Sequence, residues 1–139
     1  MYGAPTMYID MINIEGFSSY DVSSLRAAVT GGATCPIELI KEIKVKLTVE
    51  RMISLYGQTE TSPVIYQTLP EDSDLLQTTT VGYPLEHMEV KVIDAEGNIV
   101  PVGTKGEMCT RGYLVMPGYW DDPQKTAETI DPERWLHTG

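Results

Sequence analysis

The sequence predicts an α/β fold: a βαβ part of a parallel-sheet subdomain, followed by a small antiparallel, β-barrel-like subdomain. Three observations predict it. Two short apolar strands flank a helix-patterned segment whose connection is long enough for a parallel crossover. The second half alternates short strands with Gly- and Asp-containing turns. The change of pattern falls between Leu69 and Thr80, which divides the chain into residues 1–70 and 71–139.

Pro5 opens a predicted helix over Thr6 to Asn13, with Met7, Ile9, Met11 and Ile12 supplying apolar contacts. Leu25 to Val29 is a short apolar strand that ends at Thr30-Gly31-Gly32-Ala33. Pro36 suits the first turn of the next helix, where a missing N–H costs nothing. Ile37, Ile40, Ile43 and Leu47 recur at helical spacing and form one apolar stripe, with Lys41, Lys44 and Lys46 on the remaining surface. Met52 to Leu55 is the second strand, ending at Tyr56-Gly57. Parallel strands share one carboxyl edge, so Gly31-Gly32-Ala33 and Tyr56-Gly57-Gln58-Thr59-Glu60 are expected to face each other there, the edge at which open α/β sheets bind ligands.

In the second half, His87 to Ile93 is a half-buried strand, Asp94 to Asn98 a turn, and Ile99 to Val102 a returning strand. Gly103 to Gly106 turns the chain again, and Glu107 to Arg111 is a further strand. Asp122-Pro123 reads as an acidic cap and first position of a helix running to about Ile130. Trp135 to Gly139 is a strand. Tyr113, Tyr119 and Trp120 are expected to pack the antiparallel part, and Glu71, Asp72 and Asp74 to form a solvated loop.

Composition removes several classes of function. Ten Lys and Arg against twenty Asp and Glu give a net charge of −10, a surface that repels nucleic acid and anionic membranes. It does not exclude one small phosphate ligand held by backbone N–H groups and a divalent metal. No apolar run reaches the ~20 residues of a membrane helix. Cys35 and Cys109 form no C-x-x-C pair and are expected as buried thiols in a reducing compartment. His87 and His137 have no neighbour in sequence that suggests a triad and are expected as surface or strand residues.

Tyr56 to Glu60 carries the most chemistry: an aromatic face, a glycine, a hydroxyl and a carboxylate. The ring suits stacking on a base, worth ~1–3 kcal/mol by analogy with other base–aromatic contacts. Thr59 suits donation to a phosphate oxygen, and Glu60 suits Mg²⁺, which takes oxygen ligands. The same spacing also fits a tyrosine closing a core strand and a Thr-x-Thr turn with a solvated Glu60. Thr30 to Ala33 before a helix resembles a weak anion-binding loop, and equally a tight turn between strand and helix.

Taken together, the motifs resemble one family. Tyr56-Gly57-Gln58-Thr59-Glu60 matches a Y-G-x-T-E signature, and Val81-Gly82-Tyr83-Pro84-Leu85 a [VI]-G-x-P-[LM] segment. Gly106 to Gly112, continuing to Val115-Met116-Pro117-Gly118-Tyr119-Trp120, is similar to a G-E-[LI]-x-x-R-G-x-x-V-M-x-G-Y-W block. Trp135 to Gly139 resembles the opening of W-x-x-T-G-D. These are motifs of the AMP-forming acyl-CoA synthetases of the adenylate-forming superfamily, and the chain looks most like the fatty-acyl and medium-chain acyl-CoA ligases.

The resemblance implies an ATP-dependent ligase. A carboxylic acid, such as a fatty acid, attacks the α-phosphate of ATP to give an acyl-adenylate, and coenzyme A then displaces AMP. It implies that Gly31, Gly32 and Ala33 line the adenine and acyl pocket, that Tyr56 packs on adenine, and that Gly57 and Gln58 belong to the same nucleotide-binding stretch. Thr59 and Glu60 become the catalytic residues, Thr59 on phosphate and Glu60 on Mg²⁺. Residues 1–70 are then part of the nucleotide- and acyl-binding subdomain, and residues 71–139 the antiparallel subdomain.

The family's Ser/Thr/Gly-rich phosphate loop, the Asp after Thr138-Gly139, and the small C-terminal domain with its lysine are not within this sequence. The expectation is an interior fragment of the large domain, inactive without the remainder of the synthetase chain. The expected compartment is the cytoplasm, with the mitochondrial matrix as the alternative. A rival expectation is a non-catalytic nucleotide- or partner-binding module on the same fold.

Overall fold

Pro5 has no N–H to donate, and it stands in the first turn of the first helix, where none is required. That helix is one element of a computed structural model describing residues 1–139. The residues form two units: Met1–Tyr56 with Tyr66–Tyr83, and Gly57–Ile65 with Pro84–Gly139.

The first unit runs β1 (Tyr2–Gly3), α1 (Pro5–Ile12), β2 (Ala27–Thr30), α2 (Ile37–Lys46), β3 (Arg51–Tyr56), β4 (Tyr66–Gln67), α3 (Asp74–Thr79) and β5 (Tyr83–Pro84), where the chain passes to the second unit. The sheet order is β1-β2-β3-β4-β5. The expected crossover is present: β2 and β3 pair in parallel, Ala27 opposite Arg51 and Thr30 opposite Ser54. β1 adds a second parallel neighbour to β2, with Gly3 opposite Thr30. Two residues are too few for a period to register, so this strand was not expected. β4 turns antiparallel, with Tyr56 opposite Tyr66.

Helical spacing decides which side chains enter the core. Ile40, Ile43 and Leu47 are buried as the stripe predicts, and Leu39 joins them. In α1 the inward face is Tyr8 and Ile12, one turn apart, whereas Met7 and Ile9 are exposed, contrary to the expectation for them. These residues close over Ala28 and Met52 of the sheet, with Cys35 and Val49. The Tyr8 hydroxyl donates to the Val29 carbonyl at 2.9 Å and accepts from the Val29 N–H at 3.2 Å, tying α1 to β2 inside the core. The Val29 N–H also donates to the Met1 carbonyl at 2.8 Å, so Tyr8→Phe removes chiefly the bond to the Val29 carbonyl and is expected to cost about 1 kcal/mol, read as a lower midpoint in urea with an unchanged slope.

The segment 69–80 is not only a boundary. Ser73 caps α3, its Oγ accepting from the Leu76 N–H at 3.3 Å, and Gln77 points inward to donate to the Met52 carbonyl at 2.6 Å. Of the acids read as a solvated loop, Glu71 is exposed as expected, but Asp72 and Asp74 are engaged. Asp72 Oδ2 accepts from the Leu69 N–H at 2.8 Å, and Asp74 pairs with Lys44 of α2.

The second unit holds β6 (Glu89–Ile93), β7 (Glu107–Arg111), α4 (Pro123–Thr129) and β8 (Leu136–His137). The strands form an antiparallel sheet in the order β6-β7-β8. The sheet is open, not a closed barrel. Beyond β6 the returning residues make only an Ile93–Ile99 bridge and one bond from the Val100 N–H to the Val92 carbonyl at 3.0 Å. Pro101 then follows with no donor to continue the ladder, so Ile99 to Val102 is not a strand. Asp122 caps α4 as expected, its Oδ1 accepting from the Lys125 N–H at 2.8 Å ahead of Pro123. Ile93, Cys109 and Trp135 form the core, with Lys91 Nζ 4.3 Å and Arg111 Cζ 4.6 Å from the Trp135 ring centre. Tyr113 and Trp120 do not pack this unit: they are 68% and 96% exposed. Both cysteines are buried free thiols. No helix is long and apolar enough to cross a membrane.

Candidate functional site

In the first unit, the carboxyl ends of β2 and β3 lie at one sheet edge because the two strands are parallel neighbours. Gly31 follows β2 directly and packs on β3: a Cβ there would stand 3.2 Å from Leu55 Cβ and 3.3 Å from the Leu55 carbonyl oxygen. Gly32 has φ +82°, a left-handed conformation that favours glycine, and a Cβ there would meet nothing within 4 Å. Gly32 and Ala33 are exposed, so the turn presents open backbone at the carboxyl edge of the sheet. Tyr56 ends β3 half-buried. Its ring meets Tyr66 edge-on, centroids 6.4 Å apart at 63°, a geometry that fixes the aromatic plane at the strand end.

In the second unit, Gly57 begins the stretch 57–65. A Cβ on Gly57 would lie 2.0 Å from the Pro63 carbonyl oxygen and 2.8 Å from Val64 Cα, so the segment closes on itself there. Thr59–Thr61 is a single 3₁₀ turn. The buried Thr61 hydroxyl accepts from the Gln58 N–H at 3.1 Å and donates to the Gln58 carbonyl at 2.8 Å, so Gln58 starts the turn through its backbone. Thr59 is exposed and Glu60 half-buried. The Thr-x-Thr turn is therefore real, but Glu60 is not simply solvated. Its Oε1 accepts from the Tyr119 hydroxyl at 2.8 Å, and its carbonyl accepts from the Met116 N–H at 2.9 Å. The Glu60 carboxylate raises the Tyr119 phenol pKa, with desolvation adding to it. Tyr119 was read as packing. The partners lie 59 positions apart, which hides the pairing in the sequence.

A second group of chemistry-bearing side chains was also missed. Glu107 and Cys109 are two apart on β7 and share a face, and His137 of β8 stands opposite Cys109. His137 Nδ1 is 3.0 Å from Glu107 Oε2 and 3.5 Å from Cys109 Sγ, and the three ligand-type atoms lie within 4.8 Å of one another. The Gly139 N–H donates to Glu107 Oε1 at 3.0 Å. Burial and the nearby Glu107 charge push the Cys109 thiol pKa up, the reverse of a thiolate site, so the group reads as a hydrogen-bonded brace between β7 and β8.

The hydrogen bond from His137 holds the Glu107 carboxyl below its ordinary range. A depressed carboxyl contributes stability above its unfolded-state pKa and loses it as pH falls through the folded value. Glu107→Gln is therefore expected to flatten the acid side of the thermal-stability profile, where pH falls through and below the ordinary glutamate range, at a cost near neutrality of about 1 kcal/mol for a one-third-exposed pair. Unfolding temperatures across that range check it.

Comparison with known proteins agrees with these motifs. The family model described as AMP-binding enzyme matches residues 1–120. The chain is 42% identical over 140 residues to the mitochondrial medium-chain acyl-CoA ligase ACSF2 of Macaca fascicularis, covering all of this chain and 23% of that protein. It is 38% identical over 143 residues to the acyl-CoA ligase sidI of Aspergillus fumigatus, covering all of this chain and 24% of that one. Among solved structures, the anthranilate CoA ligase AuaEII in complex with anthranoyl-AMP superposes with a TM-score of 0.86 at 32% identity, over 99% of this chain and 26% of that chain. The chain thus spans about a quarter of the length of the relatives it matches. With the family model covering residues 1–120 and the fold shared over 99% of its length, this chain belongs to the AMP-binding enzyme family.

Proposed function

We propose that this chain is the part of an AMP-forming acid–CoA ligase that holds the nucleotide. The reaction joins a carboxylic acid, most simply a medium-chain or longer fatty acid, to coenzyme A through an acyl-adenylate. The observation that carries the reading is the intact Tyr56 to Glu60 stretch, with an ordered half-buried carboxylate at Glu60 and an exposed hydroxyl-bearing residue at Thr59. Identities of 38–42% over the whole chain to medium-chain and other acyl-CoA ligases support it.

The residues fit the groups this chemistry requires. The left-handed turn at Gly32 is exposed, and a Cβ there would meet nothing within 4 Å, so a ligand can approach its backbone. In this reading Gly31, Gly32 and Ala33 border adenine and the acyl group, and Tyr56 offers its ring to adenine. Gly57 and Gln58 set the turn through their backbone. Thr59 donates to a phosphate oxygen, and Glu60 holds Mg²⁺ directly or through water. Bound Mg²⁺ would offset phosphate charge, easing the approach of the acid's carboxylate. The protein's own share is position and preorganised polarity: it fixes the acceptor at Glu60 and the donor at Thr59 before the substrates meet.

Residues 1–70 then serve the nucleotide and acyl group and residues 71–139 the antiparallel part, with the rest of a longer synthetase completing the site. Alone, the 139-residue chain is expected to release no measurable AMP. Tyr113 and Trp120, exposed here, are expected to drive its self-association, read by light scattering as species larger than a monomer. The mitochondrial matrix is the compartment that the ACSF2 likeness favours over the cytoplasm. The test is AMP release by the full-length protein carrying this segment, given MgATP, coenzyme A and acids from acetate to palmitate. Acid-dependent release supports the ligase and identifies its substrate. Absence of release with every acid overturns it in favour of a non-catalytic nucleotide- or partner-binding module.

A further inference from the structure

The turn carrying Glu60 is fastened to one short stretch of the second unit, residues 116–119. Met116 donates its N–H to the Glu60 carbonyl at 2.9 Å, and Tyr119 donates its hydroxyl to Glu60 Oε1 at 2.8 Å. Backbone and side chain of Glu60 are thus both set by the same four residues. That stretch is itself anchored at each end. Arg134 donates to the Met116 carbonyl at 3.0 Å. The Tyr119 N–H donates to Thr126 Oγ1 at 2.9 Å, and the Thr126 hydroxyl donates to the carbonyl of Asp122, the cap of α4, at 2.8 Å.

The chain of contacts α4–Tyr119–Glu60 has the form of an outer partner orienting a ligand. A freely rotating carboxylate must lose rotamer freedom each time it takes a cation, and one held in advance does not. An ionised carboxylate offers about four lone-pair positions, so a single hydroxyl donor fixes its orientation and leaves positions for a metal or its water. A neutral phenol donor also leaves the full negative charge on Glu60, which a lysine or arginine partner would cancel.

We propose that Tyr119 is a positioning residue for Glu60, holding Oε1 so that the carboxylate is aimed at a divalent cation before the cation arrives. This rests on the reading that Glu60 serves Mg²⁺. It gives Tyr119, in the Gly118-Tyr119-Trp120 segment, a task in the reaction rather than in packing.

The test uses the full-length protein and the substitution Tyr119→Phe, which removes the hydroxyl and keeps the ring. Acid-dependent AMP release is titrated with Mg²⁺ at saturating ATP and acid, alongside Glu60→Gln. The Mg²⁺ concentration for half-maximal rate is expected to rise about tenfold in Tyr119→Phe, the scale of a lost outer partner, while the KM for the acid stays unchanged. A merely structural role would not separate these two readouts. If Glu60→Gln abolishes the Mg²⁺-dependent rate and Tyr119→Phe titrates as the parent does, the positioning role is overturned and the metal role of Glu60 stands. If Glu60→Gln itself keeps the parental rate and Mg²⁺ profile, the reading beneath the inference fails, and the inference with it. Thr126→Val, which removes the acceptor of the Tyr119 N–H, is expected to show a smaller shift in the same direction. A parental Mg²⁺ profile there would count against the α4 anchor.

Discussion

Glu60→Gln in the full-length protein is expected to lower acid-dependent AMP release by about a hundredfold or more, the scale on which removing one preorganised electrostatic group acts. The change is nearly isosteric, so the turn survives. Thr61 still closes on Gln58, and Met116 still donates to the carbonyl of residue 60. An amide oxygen can still accept from Tyr119. What is lost is one negative charge at a half-buried position where an oxygen ligand would offset a divalent cation. The effect therefore falls on the catalysed rate and its Mg²⁺ dependence, with the unfolding temperature close to that of the parent. A rate within twofold of the parent would remove Glu60 from the metal role.

Gly57→Ala is expected to be the most disruptive single methyl in the candidate stretch. Its Cβ would sit 2.0 Å from the Pro63 carbonyl oxygen and 2.8 Å from Val64 Cα, both backbone atoms with no rotamer to give way. The segment must open, and with it the turn that presents Thr59 and Glu60. Overpacking against backbone costs about 3 kcal/mol or more. Loss of cooperative unfolding at room temperature, or a large fall in the denaturant midpoint, would meet the expectation. A midpoint within about 0.5 kcal/mol of the parent would show that the Pro63 turn moves freely. Gly32→Ala is the instructive contrast. No atom lies within 4 Å of its Cβ, so its cost comes from the left-handed backbone alone, about 1 kcal/mol.

These two substitutions mark what the sequence could and could not reveal. The crossover was legible because its signals are local: a proline at a helix start, an apolar stripe at Ile40, Ile43 and Leu47, and a strand on each side. The shared carboxyl edge followed from parallel pairing alone. The cap at Asp122-Pro123 was legible for the same reason. The two-residue elements β1, β4 and β5 carry too little period to read, and they exist because neighbouring strands supply the ladder, whereas β8 falls inside the strand expected at Trp135 to Gly139. Helix α3 had a signal in Ser73-Asp74, but Gln77 at its inward position disguised the buried face. The expected return strand at Ile99 to Val102 is not formed because Pro101 has no donor to extend the ladder beyond the Ile93–Ile99 bridge.

The candidate stretch was legible as residue types, and its local order was not. Nothing in Tyr56 to Glu60 announces that Thr61 fastens the turn, that Gly57 is needed by Pro63, or that Tyr119 holds Glu60 from 59 residues away. Glu107, Cys109 and His137 likewise meet only because β7 and β8 pair in register. Long-range pairing is set by topology, and a single sequence carries it only through motifs.

The measurement that bears most directly on the central claim is exchange of labelled pyrophosphate into ATP by the full-length protein, with Mg²⁺ and a carboxylic acid and without coenzyme A. It isolates the first half-reaction, since label enters ATP only if the acyl-adenylate forms and reverts. Exchange that requires the acid, and that falls about a hundredfold in Glu60→Gln, is the predicted result. A folded protein that binds a stable acyl-adenylate analogue yet exchanges no label with any acid from acetate to palmitate would contradict it.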